Sequence, residues 1–158
     1  ITIPVFNEEA VLAKTIASLT RFLENNLLNP WRIIIADNAS TDATQAVSEM
    51  LCSQYQGVNY LRISLKGRGR ALRTTWLDSN ADIVSYMDAD LSTDLVHFPQ
   101  LIQSLESGSH LAIGSRLSSE SLHLNSGQDK LWHLNFCFGV SVLLRSCTMS
   151  LQYDFECG

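Results

Sequence analysis

Residues 83–90 have the sequence IVSYMDAD, a short apolar run followed at once by Asp88 and Asp90. A run of this length is typical of a buried strand in a parallel sheet, where binding sites lie beyond the carboxyl ends of the strands. Side chains two positions apart on a strand share a face, so we expect both carboxylates on one side. Adjacent carboxylates repel unless a cation lies between them, and Mg²⁺ or Mn²⁺ prefers oxygen ligands. The stretch therefore predicts a metal site at Asp88 and Asp90, with Ser92 as a further hydroxyl ligand.

The pattern around this stretch predicts an α/β fold. Strands are expected over residues 1–6, 31–36, 58–65, 83–87 and 111–113, separated by helices. Such alternation indicates right-handed βαβ units and a mostly parallel sheet flanked by helices. We expect residues 7–9 to cap the first helix, residues 43, 47, 50 and 51 to form the buried face of the second, and residues 131–147 to be helical.

Three further polar segments follow predicted strands. Asp37 is expected to accept hydrogen bonds from a base or a ribose, whereas its neighbours Asn38, Ser40 and Asp42 are explained as turn and cap residues. Residues 66–70, KGRGR, place three cations and two glycines in a turn before a helix, an arrangement that attracts a diphosphate. Arg116 is a candidate ligand for an anionic acceptor.

Each of these segments also has a structural interpretation. The Asp88 to Asp90 segment alone is compatible with a helix-capping turn, residues 66–70 with a solvated basic turn, and Arg116 with a surface ion pair. The turn at residues 66–70 matches neither a dinucleotide fingerprint nor a phosphate-binding P-loop. The four histidines form no metal-ligand pattern.

Composition indicates one globular domain spanning residues 1–158. The chain is 46% hydrophobic and 17% charged, with a formal net charge of −5, which argues against a nucleic-acid partner. Four scattered cysteines form neither a metal motif nor a disulfide scaffold, and no apolar run approaches the roughly 20 residues of a membrane span. Because the sequence begins within a strand pattern, without an initiating Met, we expect a domain truncated at both ends.

Five motifs, taken in order, resemble one known family. They are Pro4-Val5-Phe6-Asn7-Glu8, residues 33–42, Gly67-Arg68-Gly69, residues 87–93 with Asp88-Ala89-Asp90, and Gly114-Ser115-Arg116. Together they resemble the family 2 glycosyltransferases of the GT-A fold, most closely those that use polyprenyl (dolichyl) phosphate. By this resemblance the donor nucleotide would be bound by Pro4, Phe6, Glu8, Asp37, Gly67, Arg68 and Gly69, its diphosphate and metal by Asp88, Ala89 and Asp90, and the lipid phosphate by Arg116.

The resemblance implies inverting transfer of a hexose from a nucleotide-diphosphate sugar, of the UDP-glucose or GDP-mannose type, to a lipid phosphate. It places this reaction at the cytoplasmic face of a membrane, with Mg²⁺ or Mn²⁺ as cofactor. If the acceptor is instead a saccharide hydroxyl, a general base is needed, and Asp154 is the candidate. A binding module without catalysis and a haloacid-dehalogenase-type phosphatase remain as alternatives.

Overall fold

The computed structural model describes residues 1–91 and 94–113, together with the backbone of residues 142–145. The strands are β1 (Thr2–Val5), β2 (Ile33–Asp37), β3 (Val58–Arg62), β4 (Ile83–Tyr86), β5 (Leu111–Ile113) and β6 (Val142–Arg145). The helices are α1 (Leu12–Asn26), α2 (Thr44–Gln54), α3 (Arg68–Leu77) and α4 (Phe98–Glu106), the last preceded by a 3₁₀ turn at Leu95–His97.

The strands form one sheet in the order β3-β2-β1-β4-β6-β5. β1 to β4 are parallel, whereas β6 is antiparallel to both β4 and β5. β5 therefore runs in the same direction as the first four strands. This arrangement confirms the predicted mostly parallel sheet flanked by helices.

Both faces of the sheet are covered by helices, and side chains of β2 pack on each of them. Ile33 and Ile35 belong to the large core under α1, α2 and α4, whereas Ala36 packs against Ala71 of α3 on the opposite face. α1 contributes a fully buried stripe of Leu12, Ile16, Leu19 and Leu23. Each such side chain contributes about 1.5–3 kcal/mol when fully buried. No helix in the described ranges is both long and apolar enough to cross a membrane.

Three sequence predictions about individual elements are wrong. α1 begins at Leu12 without a side-chain cap, not at residues 7–9. α2 buries Thr44, Ser48 and Leu51, whereas the predicted Met50 is 50% exposed. Residues 142–145 form β6, between β4 and β5, rather than part of a helix. A short apolar run fits a buried strand as well as a helical stripe, so periodicity alone could not separate the two.

The topology opens a crevice between β1 and β4. These two strands share a single register pair, Thr2 with Tyr86, and the order of the sheet reverses between them. In parallel sheets ligands bind at such a switch point, outside the carboxyl ends of the strands. Three loops leave the sheet at this edge: the β1 loop (residues 6–9), the β2 loop (residues 38–43) and the β4 loop (residues 87–91).

Candidate functional site

The β1 loop is tied to the β2 loop by hydrogen bonds. Asn7 N donates to Ser40 Oγ at 3.0 Å, and Asn7 Oδ1 accepts from Thr41 N at 2.8 Å. Glu8 N donates to Thr44 Oγ1 at 2.9 Å. These tertiary bonds explain why the loop does not cap α1: its polar groups bind the neighbouring loop instead. The two loops therefore form one continuous polar floor beside the crevice.

Asp37 anchors the β2 loop from below. Its side chain is completely buried, and its Oδ1 accepts a hydrogen bond from Ser40 N at 2.8 Å. Its Oδ2 accepts from the Tyr60 hydroxyl at 2.7 Å and from Arg62 Nη1 at 3.2 Å. Arg62 also donates to Gln45 Oε1 and to the Ser40 carbonyl. Both carboxylate oxygens thus have protein partners, and direct contact between Asp37 and a nucleotide stays a prediction.

A cleft of about 260 Å³ lies on this edge of the sheet. It is lined by Pro4, Val5, Phe6, Glu8, Asn38, Lys66, Gly67 and Arg68. Phe6 is 38% exposed, and Lys66 Nζ lies 4.0 Å above the centre of its ring, a distance at which a cation is attracted to the aromatic face. The cleft therefore combines an accessible aromatic ring with positive charge.

Asn38, which the sequence predicts only as a turn residue, lines the cleft. The residue is 6% exposed, and its Nδ2 donates to the Val5 carbonyl at 3.3 Å. Since that carbonyl can only accept, the amide oxygen must face the other way, where it has no hydrogen-bond partner among the described residues. A buried acceptor without a partner is costly unless a ligand or water satisfies it. The sequence did carry a signal for this role, because Asn38 is a polar amide that directly follows a buried strand.

The basic segment at residues 66–70 is partly helical rather than a turn. α3 begins at Arg68, and Gly67 precedes it with φ of 148°, a value that favours glycine. Arg68 Nη1 lies 3.8 Å from Asp88 Oδ1, so the segment reaches across the crevice to the β4 loop. This ion pair connects the cleft to the predicted metal site.

Asp88 and Asp90 lie in the loop beyond β4 and not on the strand itself. The prediction that they share one face, which assumed strand geometry, therefore loses its basis. β4 ends at Tyr86, and the β4 loop turns so that Leu91 N donates to the Asp88 carbonyl at 3.1 Å. The two-residue period of a strand therefore does not apply to the pair. The Asp88 side chain is 19% exposed, and Asp90 is exposed. Asp94 caps the following turn through Val96 N, so neither acid of the pair is needed for that role.

Electrostatics connect Glu8 of the β1 loop to Asp90 of this acidic pair. Burial, followed by the negative charges of Asp90 and Asp42, raises the pKa of Glu8. Within the described ranges no three His, Cys, Asp or Glu side chains gather closely enough to hold a metal ion by themselves. Two carboxylates suit Mg²⁺ that is completed by substrate phosphates and water, so the donor set fits a cation shared with a ligand.

The other predicted site residues divide into two groups. Gly69 lies in the first turn of α3, and Ala89 is buried with its carbonyl accepting from Thr15 Oγ1. Neither is among the residues that line the described cleft. Ser92, Arg116 and Asp154 lie outside the described residues.

Comparison with known proteins gives a consistent result. The model of the family described as "Glycosyl transferase family 2" matches residues 1–145. A dolichol-phosphate mannosyltransferase of Pyrococcus furiosus is 31% identical over 116 residues, covering 73% of this chain and 32% of the relative. A dolichyl-phosphate beta-glucosyltransferase of Saccharomyces cerevisiae is 24% identical over 111 residues, covering 66% and 33%. The chain thus spans about a third of the length of each of these relatives.

Among solved structures, one similar fold is glucosyl-3-phosphoglycerate synthase of Mycobacterium tuberculosis, in complex with Mn²⁺, uridine diphosphate and phosphoglyceric acid. The TM-score is 0.52 at 22% identity, over 70% of this chain and 40% of the synthase. At this identity the likeness concerns the fold.

Proposed function

The chain belongs to glycosyl transferase family 2, and from this premise we propose that it transfers a hexose from a nucleotide-diphosphate sugar to a polyprenyl or dolichyl phosphate. The donor is of the UDP-glucose or GDP-mannose type, the cation is Mg²⁺ or Mn²⁺, and the reaction takes place at the cytoplasmic face of a membrane. The configuration at the sugar is inverted, because the acceptor attacks opposite the departing nucleoside diphosphate.

The observation that carries the proposal is the cleft beside the β4 loop. It combines an exposed ring, a buried amide oxygen without a described partner, and two cations, and it lies next to the acidic pair. These groups match, in order, the base, its hydrogen-bonding edge and the diphosphate of a nucleotide. The GT-A fold also holds Mn²⁺ and uridine diphosphate in the mycobacterial synthase, so it is compatible with such ligands.

For the base, we assign stacking to Phe6 and hydrogen bonding to Asn38. An aromatic ring attracts any base through its face and so gives affinity with little selectivity. The Asn38 oxygen accepts from an imino N–H, a group present in both uracil and guanine. A buried acceptor rejects analogues that lack the matching donor, because the acceptor would stay unpaired.

For the diphosphate, we assign Asp88 and Asp90 as the residues that hold the cation, and Arg68 as a direct partner of the phosphate oxygens. A divalent cation bound there would stabilise the negative charge that develops on the leaving diphosphate. A guanidinium donates in a planar fork that matches phosphate oxygens, so Arg68 orients the leaving group as well as neutralising it.

For the acceptor, the relatives named as dolichol-phosphate and dolichyl-phosphate transferases support a lipid phosphate. Such a nucleophile is anionic near neutral pH and needs no general base, so Arg116 would position it. A saccharide hydroxyl would instead require a base, for which Asp154 remains the candidate.

Donor binding is tested by thermal unfolding with UDP, GDP and their sugars, each with Mn²⁺, Mg²⁺ or a chelator. A ligand at about 100 times its Kd adds about 2.7 kcal/mol to the free energy of unfolding. For a chain of this size that raises Tm by about 5–10 °C. We expect a metal-dependent shift with one nucleotide class that is lost in Asp90→Asn.

The matched control is Asp82→Asn, an exposed acid at the opposite end of β4. This variant should keep the full shift. An unchanged shift in Asp90→Asn, or no shift in a folded wild type, would contradict the assignment of the acidic pair.

Acceptor choice is tested with radiolabelled donor and phosphatidylcholine vesicles that contain or lack polyprenyl phosphate. Label that enters the lipid fraction only when polyprenyl phosphate is present supports the proposal. Label transferred to a free saccharide indicates the hydroxyl-acceptor alternative, and donor binding without any transfer indicates a binding module.

A further inference from the structure

The ion pair between Arg68 and Asp88 joins two groups that the proposed function assigns to different ligands. Arg68 is a diphosphate ligand in that function, and Asp88 is a cation ligand. In the structure they neutralise each other, with 3.8 Å between Nη1 and Oδ1. Their side chains are 50% and 19% exposed, respectively. Before any ligand is bound, Arg68 is therefore paired with Asp88 instead of a diphosphate, and Asp88 is paired with Arg68 instead of a cation.

We propose that Arg68 couples the binding of metal and donor. In the free protein its positive charge pairs with Asp88, and when the donor binds, Arg68 pairs with the diphosphate instead and leaves Asp88 available to the metal. This inference rests on the proposed function, and it adds an order to the binding events. The cation meets a neutralised Asp88 when it arrives alone, and a free carboxylate when the nucleotide is present. Metal and nucleotide then bind more tightly together than either does alone.

The geometry suits exchange rather than a permanent lock. At 3.8 Å the pair is long for a charge-assisted hydrogen bond, which is usually 2.7–2.9 Å. Exposed ion pairs of this kind are weak and screened by salt, so a diphosphate can replace the carboxylate as partner. Arg68 is also the first residue of α3, where the helix amino terminus favours the same anion.

The coupling must be reciprocal. If a nucleotide raises the affinity for the cation by a given factor, the cation raises the affinity for the nucleotide by the same factor. Arg68 itself repels the cation and attracts the diphosphate, so its removal should act in opposite directions on the affinities for the two ligands. Affinity for the cation alone rises, because a competing positive charge is gone, whereas affinity for the nucleotide falls, because a phosphate partner is gone.

The test is a Mn²⁺ titration followed by electron paramagnetic resonance, first without nucleotide, on wild type and Arg68→Met. We expect Arg68→Met to bind Mn²⁺ about two- to fivefold more tightly, the range corresponding to an exposed ion pair. Arg70→Met is the matched control, since it removes an exposed cation two residues away that has no ion pair in the described part of the chain. Its Mn²⁺ affinity should change less.

A double-mutant cycle separates direct competition from a general change in charge. In an Asp88→Asn background, Arg68→Met should no longer tighten Mn²⁺ binding. Equal effects of the Arg68 and Arg70 variants, or a gain that persists in Asp88→Asn, would overturn the inference.

Nucleotide titrations then distinguish this inference from the proposed function. With Mn²⁺ present, Arg68→Met should bind UDP or GDP about tenfold more weakly than wild type, as expected for a lost bond to a charged group. If wild type binds neither nucleotide, the donor assignment fails and the coupling fails with it. If wild type binds a nucleotide and Arg68→Met binds Mn²⁺ no more tightly than wild type, only the coupling fails.

Discussion

Replacing Tyr60 with phenylalanine tests how the buried charge of Asp37 supports the site. The change removes the hydroxyl that donates to Asp37 Oδ2 at 2.7 Å and leaves the ring in place. Burial, and then the hydrogen bond to Asp37, raises the pKa of Tyr60, so the hydroxyl stays protonated and able to donate at neutral pH. Arg62 and Ser40 still bind the carboxylate, so the loss should lie near the lower end for a bond to a charged group, about 1.5 kcal/mol.

Urea unfolding followed by circular dichroism measures this loss of unfolding free energy directly. Thermal unfolding should show a Tm that is lower by about 3–6 °C for a domain of this size. The matched control is Tyr55→Phe, a partly buried tyrosine at the end of α2 with no hydroxyl hydrogen bond to the described residues. Equal stability of the two variants would refute the reasoning that Asp37 depends on its hydroxyl partner. Because Asp37 also fixes Ser40, which accepts from Asn7, nucleotide affinity should fall in Tyr60→Phe as well.

Two further predictions concern the edges of the cleft. Gly69→Ala should stabilise the protein by about 0.5 kcal/mol, since alanine favours a helix and nothing lies within 4 Å of the added Cβ; if a diphosphate approaches this turn, nucleotide affinity measured by calorimetry should fall in the same variant. Burial and the charge of Asp90 raise the pKa of Glu8 above 4.5, so the folded state binds this proton more tightly than the unfolded state does. The resulting contribution to the free energy of unfolding is fully present below about pH 4.5 and is lost as the pH rises through the raised pKa. Glu8→Gln in chelator should therefore gain stability relative to wild type at pH 7 but not at pH 4, and a pH-independent difference in urea midpoint would contradict this.

β1 to β5 were predictable because short apolar runs ending in polar residues are a local property of the sequence, whereas the sequence of β6 predicts part of a helix. The start of α1 was not predictable either, although residues 7–9 have the composition of a helix cap. Their polar groups bind Ser40, Thr41 and Thr44, which are more than thirty residues away in sequence. Tertiary partners therefore outweighed a local capping preference that is worth about 1 kcal/mol.

The site itself was predictable in its location but only partly in its members. The alternation of strands and helices predicts a parallel sheet, so the β1 and β4 loops could be placed at its carboxyl edge from sequence. The switch point between β1 and β4 depends on the strand order, which only the structure gives. Asn38 differs, because its importance depends on which way its amide points, and that is fixed by the Val5 carbonyl on the neighbouring strand. The relation of Asp88 to Asp90 likewise depends on where β4 ends. The strand ends at Tyr86, one residue before the predicted end, and both acids lie in the loop beyond it, so the period of a strand gives no basis for placing them on one face.

Backbone strain points to the same edge of the sheet without reference to any side-chain chemistry. Among the described residues, positive φ outside glycine occurs at Asn7, Ala39 and Leu91, with values of 57°, 61° and 49°. One lies in each of the β1, β2 and β4 loops. This conformation costs a residue with a Cβ about 1–2 kcal/mol, and asparagine tolerates it better than alanine or leucine.

Strain of this kind persists only where surrounding contacts enforce it, and it clusters where a protein holds ligands. The hydrogen bonds between the β1 and β2 loops supply that enforcement for Asn7 and Ala39. For Leu91 the bond from its N–H to the Asp88 carbonyl does so, and it shapes the loop that carries the acidic pair.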